Sequence, residues 1–170
     1  MTQELPPPGA TNAEAYAAIS HRFVDHAKDQ LRLGNRLQAS EKVWGAANYA
    51  LKAVALQRGW RHGGQRNVFA IAEQLSREFN RPYLSDQLLV ARAIHYNFYD
   101  NDLDQTTIST GIDAVEKYVA ELDEVRFSPP QPFTIVTGED QNRLQRLLGR
   151  TYAIGTHSDE GFVIHSVQPP

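Results

Sequence analysis

The stretch ASEKVWGAANYALKAVALQRGWRH, residues Ala39 to His62, decides the fold of this chain. Its apolar residues recur at steps of three and four, which predicts one long helix that buries a wide stripe and ends at Gly59. A second face carries three small residues that let another helix come close: Ala46, Ala50 and Ala53. Because neighbours can cover most of its circumference, we expect this helix to be the centre of a helical bundle.

A polar strip runs beside the apolar stripe. It consists of Glu41, Asn48 and Lys52, with Gly45 between them as a notch where no side chain blocks approach. Glu41 and Lys52 are about 16 Å apart along the helix, so they cannot pair with each other. They are either solvated or candidate binding residues, and Lys52 would form an anion site if it lay near Arg92.

Composition limits the protein to ordinary globular classes. The chain has 170 residues, of which 22% are charged and 41% hydrophobic, with a formal net charge of −3 and no cysteine. This excludes disulfides and thiolate metal sites, and it argues against wholesale coating of nucleic acid. The first residues lack the pattern of a signal peptide, and no segment has the roughly 20 apolar residues of a membrane span. We therefore expect a cytoplasmic protein that does not enter a membrane.

The same periodicity predicts further helices on both sides of the central one. After a Pro-rich lead-in, residues 1–10, a bundle is expected over residues 11–127. Besides the central helix it contains a first helix that stops near Gly34, a third from Arg66 to Phe79, a fourth from Ser85 to Tyr99, and a fifth after Asp102.

A different pattern follows the prolines of the linker at residues 128–132. Residues 133–170 predict short strands at Phe133–Val136, Tyr152–Ile154 and Phe162–Val167, a helix at Gln141–Leu148, and a polar turn at residues 155–161. So short a segment cannot build its own core, so it should pack on the bundle or on a partner. The expected fold class is all-α, an up-and-down bundle of four or five helices with a small C-terminal α/β appendage.

Two motifs carry a resemblance to a known family. The stretch ASEKVWGAANYALKAVALQRGW, followed by ARAIHYNFYDNDLD, resembles the HEPN superfamily, and in particular its branch typified by the archaeal PaREP proteins. The likeness covers about residues 12 to 126. It implies an all-α, HEPN-like bundle that is often a homodimer. Many such domains are RNases or accompany nucleotidyltransferases in toxin–antitoxin pairs.

The RNase members of that superfamily resemble one another in an R-x4-6-H motif. Here Arg92 is followed, at the position of the motif histidine, by Asn97, while the nearby histidine is His95 and Tyr99 follows two residues after Asn97. A histidine can move a proton near neutral pH, whereas asparagine can only donate and accept hydrogen bonds. The expectation is therefore binding through Asn97 without cleavage.

Arg92, His95 and Tyr99 share one face of the fourth helix. They are interpreted as a buried polar network or dimer contact, as a binding site for nucleotide or RNA, or as catalytic residues of an RNase.

A basic cluster surrounds the end of the central helix: Arg58, Arg61, His62 and Arg66. It is a candidate phosphate site, because helix N-terminal N–H groups and cations meet there, and otherwise a solvated turn. No residue set predicts a metal site, and no cofactor motif is present.

These observations favour a homodimeric module that binds nucleotide or RNA, or a protein, without RNase activity. The alternative is a metal-independent endoribonuclease of the toxin–antitoxin type that uses Arg92 and His95 across a dimer cleft. A nucleotidyltransferase-type antitoxin is then a possible partner. A third reading is a structural adaptor whose tail docks a partner.

Overall fold

The computed structural model describes residues 12–150, 156–158, 161–163, 165–167 and 169 of the chain. Six helices lie in this part: α1 (Ala13–Arg32), α2 (Arg36–Gln57), α3 (Gln65–Glu78), α4 (Tyr83–Asp100), α5 (Gln105–Phe127) and α6 (Gly138–Leu148). Four short strands accompany them: β1 (Phe133–Ile135), β2 (Thr156–Ser158), β3 (Gly161–Val163) and β4 (His165–Val167). The predicted fold class, an all-α bundle with a small C-terminal appendage, is confirmed.

Side-chain caps fix where the first two helices begin. Asn12 accepts a hydrogen bond from the N–H of Ala15 at 2.9 Å, and Asn35 accepts one from Gln38 at 3.2 Å. Between them, Gly34 adopts the left-handed conformation with φ 78° that ends α1. The chain therefore reverses within three residues, and α2 packs back along α1.

The central position predicted for α2 is what the structure shows. This helix contacts α1, α3, α4 and α5, and its small residues Ala46, Ala47 and Ala50 are buried. It begins three residues earlier than expected, because Asn35 supplies the cap. Gly59, with φ 69°, follows the end as predicted. Trp60 lies beyond the helix, and its backbone N–H donates to the carbonyl of Ala55 at 2.8 Å.

The C-terminal segment shares the core of the bundle. Phe133, Ile135, Leu144 and Leu147 are buried in the same hydrophobic cluster as the helices α1 to α5. Helix α6 lies against α3, where the Nε of Arg143 donates to the side chain of Gln74 at 2.9 Å. The division of the chain into bundle, linker and tail domains stays a prediction.

The strands differ from the predicted pattern. Strand β1 pairs antiparallel with β4, and β2 pairs antiparallel with β3, so the predicted single run Phe162–Val167 is two strands in two sheets. Strand β2 lies inside the segment that was predicted to be a polar turn. The prediction missed this strand because Thr-His-Ser lacks the alternation of apolar and polar residues that marks a strand. The predicted strand Tyr152–Ile154 lies outside the described residues.

Candidate functional site

A cleft of about 430 Å³ opens between α1, α2 and α4. We call it the aromatic cleft, and its lining residues are Phe23, Gln38, Glu41, Lys42, Trp44, Gly45, Tyr49 and His95. Most of these lie on α2 at helical spacing, so one face of the central helix forms the floor. Sequence reasoning singled out Glu41, Gly45 and His95, but it missed Gln38 and Lys42, although their spacing to Glu41 and Gly45 places them on the same face.

Close approach at Gly45 shapes one wall of the aromatic cleft. A Cβ atom at this position would lie 2.8 Å from the ring of Phe23, so only glycine leaves space for that ring against α2. The ring of Phe23 in turn meets the ring of Tyr49 edge-on at 5.4 Å between centroids. The Nζ of Lys42 lies 4.9 Å from the centroid of the Phe23 ring. The predicted notch is therefore occupied by an aromatic ring of α1.

The opposite wall is a stacked pair of rings. His95 of α4 lies on Trp44 of α2, with ring centroids 5.4 Å apart and an angle of 26° between the planes. Burial lowers the pKa of His95, although the Glu41 carboxylate partly opposes this shift. The imidazole is therefore mainly neutral at pH 7. Its Nδ1 atom is buried and has no hydrogen-bond partner among the described residues.

Arg92 and Tyr99 flank this histidine on α4. The ring of Tyr99 meets His95 edge-on at 5.7 Å between centroids. Arg92 donates its Nε–H to the hydroxyl of Tyr96 at 3.0 Å, and its guanidinium lies 5.2 Å from the ring centroid of Phe69. The three predicted residues therefore belong to one aromatic surface. Arg92 lies over rings there, and its terminal N–H groups form no hydrogen bond with other described residues.

The rest of the predicted polar strip does not line the aromatic cleft. Asn48 donates its side-chain N–H to the carbonyl of Trp44 at 2.9 Å within its own helix. The Nζ of Lys52 lies 5.6 Å from the ring centroid of Tyr49. Among the described residues, no contact connects Lys52 with Arg92 or its neighbours, so the anion site considered for these two cations is not formed.

Arg58 is not part of a surface cluster, which corrects the sequence-based interpretation. It is buried, its Nη1 donates to Glu78 at 2.6 Å, and its guanidinium lies over the rings of Trp60 and Phe79. A cation at this depth needs a carboxylate, and Glu78 at the end of α3 provides it. Arg58 therefore joins the end of α2 to α3 inside the fold.

His62 also separates from the arginines of the predicted cluster. Its ring meets Tyr16 edge-on at 5.9 Å, and burial together with nearby Lys52 lowers its pKa. Arg61 and Arg66 are exposed on another side, towards α6. The four residues of the sequence cluster thus occupy three different environments.

Asn97 is likewise buried inside the bundle. It is 1% exposed, its Nδ2 donates to the Ser40 hydroxyl at 3.0 Å, and its Oδ1 accepts from the N–H of Leu103 at 2.8 Å. Both ends of the amide are used to tie α4 to α2 and to the loop before α5. The expectation that Asn97 binds a ligand is wrong in this structure, because neither polar end reaches the surface.

A second cleft, of about 520 Å³, lies between α3, α6 and the loop after α2. We call it the arginine cleft, and it is lined by Arg61, Asn67, Asn142, Gln145, Arg146 and Gly149. Sequence reasoning found only Arg61. Of the remaining polar residues, Asn67 lies on α3, whereas Asn142, Gln145 and Arg146 lie at helical spacing on α6 and reach Arg61 only because α6 docks on α3.

The described part of the chain contains neither a cluster of metal-ligating side chains nor a membrane-spanning helix. No group of three or more histidine, aspartate or glutamate side chains is close enough there to hold a metal ion. None of its helices combines the length and the apolar character that crossing a bilayer requires.

Comparison with known proteins gives a family and a fold. Residues 15–119, more than half of the chain, match the model of the archaeal PaREP1/PaREP8 family. The fold is similar to a crystal structure of a Sulfolobus solfataricus protein, with a TM-score of 0.57 and 19% identity, over 62% of this chain and 94% of that chain. No curated protein matches. The chain therefore belongs to the archaeal PaREP1/PaREP8 family.

Proposed function

We propose that this protein binds nucleotide or single-stranded RNA, with a base inserted in the aromatic cleft. The observation that carries the proposal is the stacked pair of Trp44 and His95 beside the carboxylate of Glu41 and the amide of Gln38. Aromatic rings stack on bases of any sequence, and each such contact contributes about 1–3 kcal/mol. Glu41 can accept hydrogen bonds from the amino groups of adenine, cytosine or guanine.

The charge of the cleft favours a base over a phosphate at this position. Glu41 would repel a phosphate, whereas Lys42, the cation of the cleft lining, is turned over the ring of Phe23. Uracil lacks an exocyclic amino group, so Glu41 should disfavour it relative to the other bases.

Fluorescence of Trp44 tests the proposal directly. In the Trp60→Phe variant Trp44 is the one remaining tryptophan, and adding single-stranded RNA should quench it. Trp44→Leu should weaken RNA binding roughly tenfold or more, since a stacking contact is lost. Glu41→Gln should bring oligouridine closer to oligoadenosine in affinity, while Glu14→Gln, an exposed acid at the start of α1, should leave the ratio unchanged. Equal affinity of the wild type and Trp44→Leu would contradict the proposal.

The second candidate function is the endoribonuclease of the HEPN type. It is favoured by the Nδ1 of His95, which has no hydrogen-bond partner in the described part of the chain, and by the lowered pKa of this imidazole, which keeps it neutral and able to accept a proton. Purified protein and an Arg92→Ala/His95→Ala variant would be incubated with single-stranded RNA without added metal. Cleavage by the wild type alone would establish this function. Membership of the HEPN superfamily and a nucleotidyltransferase-type antitoxin as partner belong to the same proposal.

We also propose that the protein is a homodimer that pairs through α4. This helix leaves a row of apolar side chains exposed, with Leu89 at 54%, Val90 at 38% and Tyr96 at 46%. Such a row on one helix is typical of a contact with another subunit. Leu89→Glu should convert a dimer to a monomer in light scattering. The control Leu33→Glu, at an exposed position after α1, should not.

A further inference from the structure

The arginine cleft has the composition of an anion site. Among the described residues, its lining consists of two guanidinium groups, three side-chain amides and one glycine, and it includes no carboxylate. Arg61 and Arg146 are both exposed, and neither forms an ion pair or a side-chain hydrogen bond with another described residue. Some other arginines, such as Arg32, Arg77, Arg81 and Arg143, are each paired with an acid.

The backbone holds Arg61 in place without using its guanidinium. Its N–H donates to the carbonyl of Leu147 at 2.7 Å, which joins the loop after α2 to the end of α6. The guanidinium lies over Gly149, where a Cβ atom would approach it to 2.5 Å. The negative end of the α6 dipole favours a cation here, and none of the five guanidinium donors forms a hydrogen bond with another described residue. The site is thus organised before a ligand arrives.

A continuous surface connects the arginine cleft with the aromatic cleft. A groove next to it shares Asn142 and Arg146 and is also lined by Arg66 and Phe69. The ring of Phe69 lies 6.4 Å from that of Trp44, and Arg92 lies over Phe69. Two acids line this groove: Glu73, which is paired with Arg77, and the exposed Glu139 at the start of α6. Arginines and aromatic rings therefore both lie along this path.

We propose that the arginine cleft binds phosphate groups of the same RNA strand whose base occupies the aromatic cleft. The inference rests on the proposed function for its ligand, and it adds a second site on α3 and α6. Guanidinium groups bind phosphate through two parallel hydrogen bonds, and the amides of Asn142 and Gln145 can donate to the remaining oxygens. A basic groove combined with aromatic rings on which bases can stack is the general arrangement of surfaces that hold single-stranded nucleic acid.

The test compares two double variants that change the net charge equally. Arg61→Gln/Arg146→Gln removes the cations of the arginine cleft, whereas Arg32→Gln/Lys117→Gln removes exposed cations of α1 and α5. Binding of a labelled single-stranded RNA would be measured by fluorescence anisotropy at several salt concentrations, with circular dichroism to verify folding. The first variant should bind roughly tenfold more weakly at low salt, and the dependence of log K on log salt should become less steep by about 1.4. The second should behave like the wild type.

The outcomes distinguish this inference from the proposed function. Equal losses in both double variants would mean that net charge alone matters, and would overturn the arginine cleft as a site. If Trp44→Leu weakens binding with an unchanged salt slope while Arg61→Gln/Arg146→Gln has no effect, the aromatic cleft stands and this inference fails. If only the arginine variant weakens binding, the aromatic cleft is the part that fails. No RNA binding by the wild type would overturn both.

Discussion

Asn97 is held from both ends by groups that an imidazole cannot serve in the same geometry. Its amide donates to Ser40 and accepts from the backbone of Leu103 at a position that is almost completely buried. The R-x4-H spacing would place a histidine here, whereas the two hydrogen bonds to Ser40 and Leu103 require the side-chain amide of asparagine.

We expect Asn97→His to destabilise the protein and not to create RNase activity. A larger ring would leave the Ser40 hydroxyl or the Leu103 N–H without its partner, which costs about 2 kcal/mol of the free energy of unfolding. Urea denaturation measures this change, with Asn142→His, at an exposed position, as the control. A fully stable Asn97→His protein that cleaves RNA would contradict the assigned role.

His95 predicts a dependence of stability on pH. Burial makes its pKa lower in the folded protein than in the unfolded chain, where it is about 6.5. As pH falls below that value, the unfolded chain binds a proton that the folded protein still resists, so the free energy of unfolding decreases until the folded pKa is reached. His62 acts in the same direction.

Removing the titrating group should flatten this dependence. We expect His95→Phe to lose less stability than the wild type between neutral and mildly acidic pH, in chemical denaturation at each pH. His26→Phe, which replaces an exposed histidine of α1, should retain the wild-type slope. A steeper slope in His95→Phe would show that the sign is wrong.

At the scale of single residues, the sequence predicted positions better than environments. Arg92, His95 and Tyr99 were expected on one face, and α4 holds them on one aromatic surface. Arg58 and Asn97 were interpreted as candidate binding residues, because the sequence pattern does not distinguish a buried, satisfied polar residue from an exposed one. Their partners, Glu78 and Ser40, are 20 and 57 residues away in the sequence.

At the scale of the secondary-structure elements, the close contact between α4 and α5 depends on a glycine. Gly111 of α5 lies under Ile94 of α4, and a Cβ atom there would overlap the Ile94 Cδ1. Helix periodicity identified both helices, but it does not reveal which neighbour approaches a glycine, because that requires the distance between the two axes.

Gly111→Ala should destabilise the bundle even though alanine favours helices. Overpacking costs typically 1–3 kcal/mol, which exceeds the roughly 1 kcal/mol gained in helix propensity. The midpoint of thermal unfolding should therefore fall. Gly138→Ala, at the first residue of α6 where a Cβ meets open space, is the matched control and should be neutral or slightly stabilising. An increased midpoint for Gly111→Ala would contradict the close contact.

Over the whole molecule, the bundle and α6 share one hydrophobic core, so we expect them to unfold together. The two tryptophans report on its two ends, since Trp44 lies at the aromatic cleft and Trp60 packs on Phe133 at 5.6 Å between ring centroids. Denaturation of Trp44→Phe and Trp60→Phe, each followed by fluorescence and by circular dichroism, should give coincident transitions within each variant. An earlier transition for the Trp60 signal would show that the tail unfolds separately.

The positions of the helices were the most predictable property of the molecule. The contacts between residues far apart in the sequence were the least predictable. Apolar periodicity and Gly-Asn or Pro breaks gave five helices of the bundle to within a few residues. The arginine cleft was not predicted, because its residues come from positions 61, 67 and 142–149 and meet only after α6 docks on α3.

The ion pair of Arg58 and Glu78 lies under the segment that leaves the bundle. Arg58 approaches the carbonyl of Ser128 at 3.5 Å, and Glu78 accepts from the N–H of Gln131 at 3.2 Å, so the proline-rich segment covers the charges. We therefore expect Arg58, Glu78 and the covering segment to vary together among the sequences of the family. A family member that lacks this segment should carry neither the buried arginine nor its glutamate, and those three features should be gained or lost together across the family.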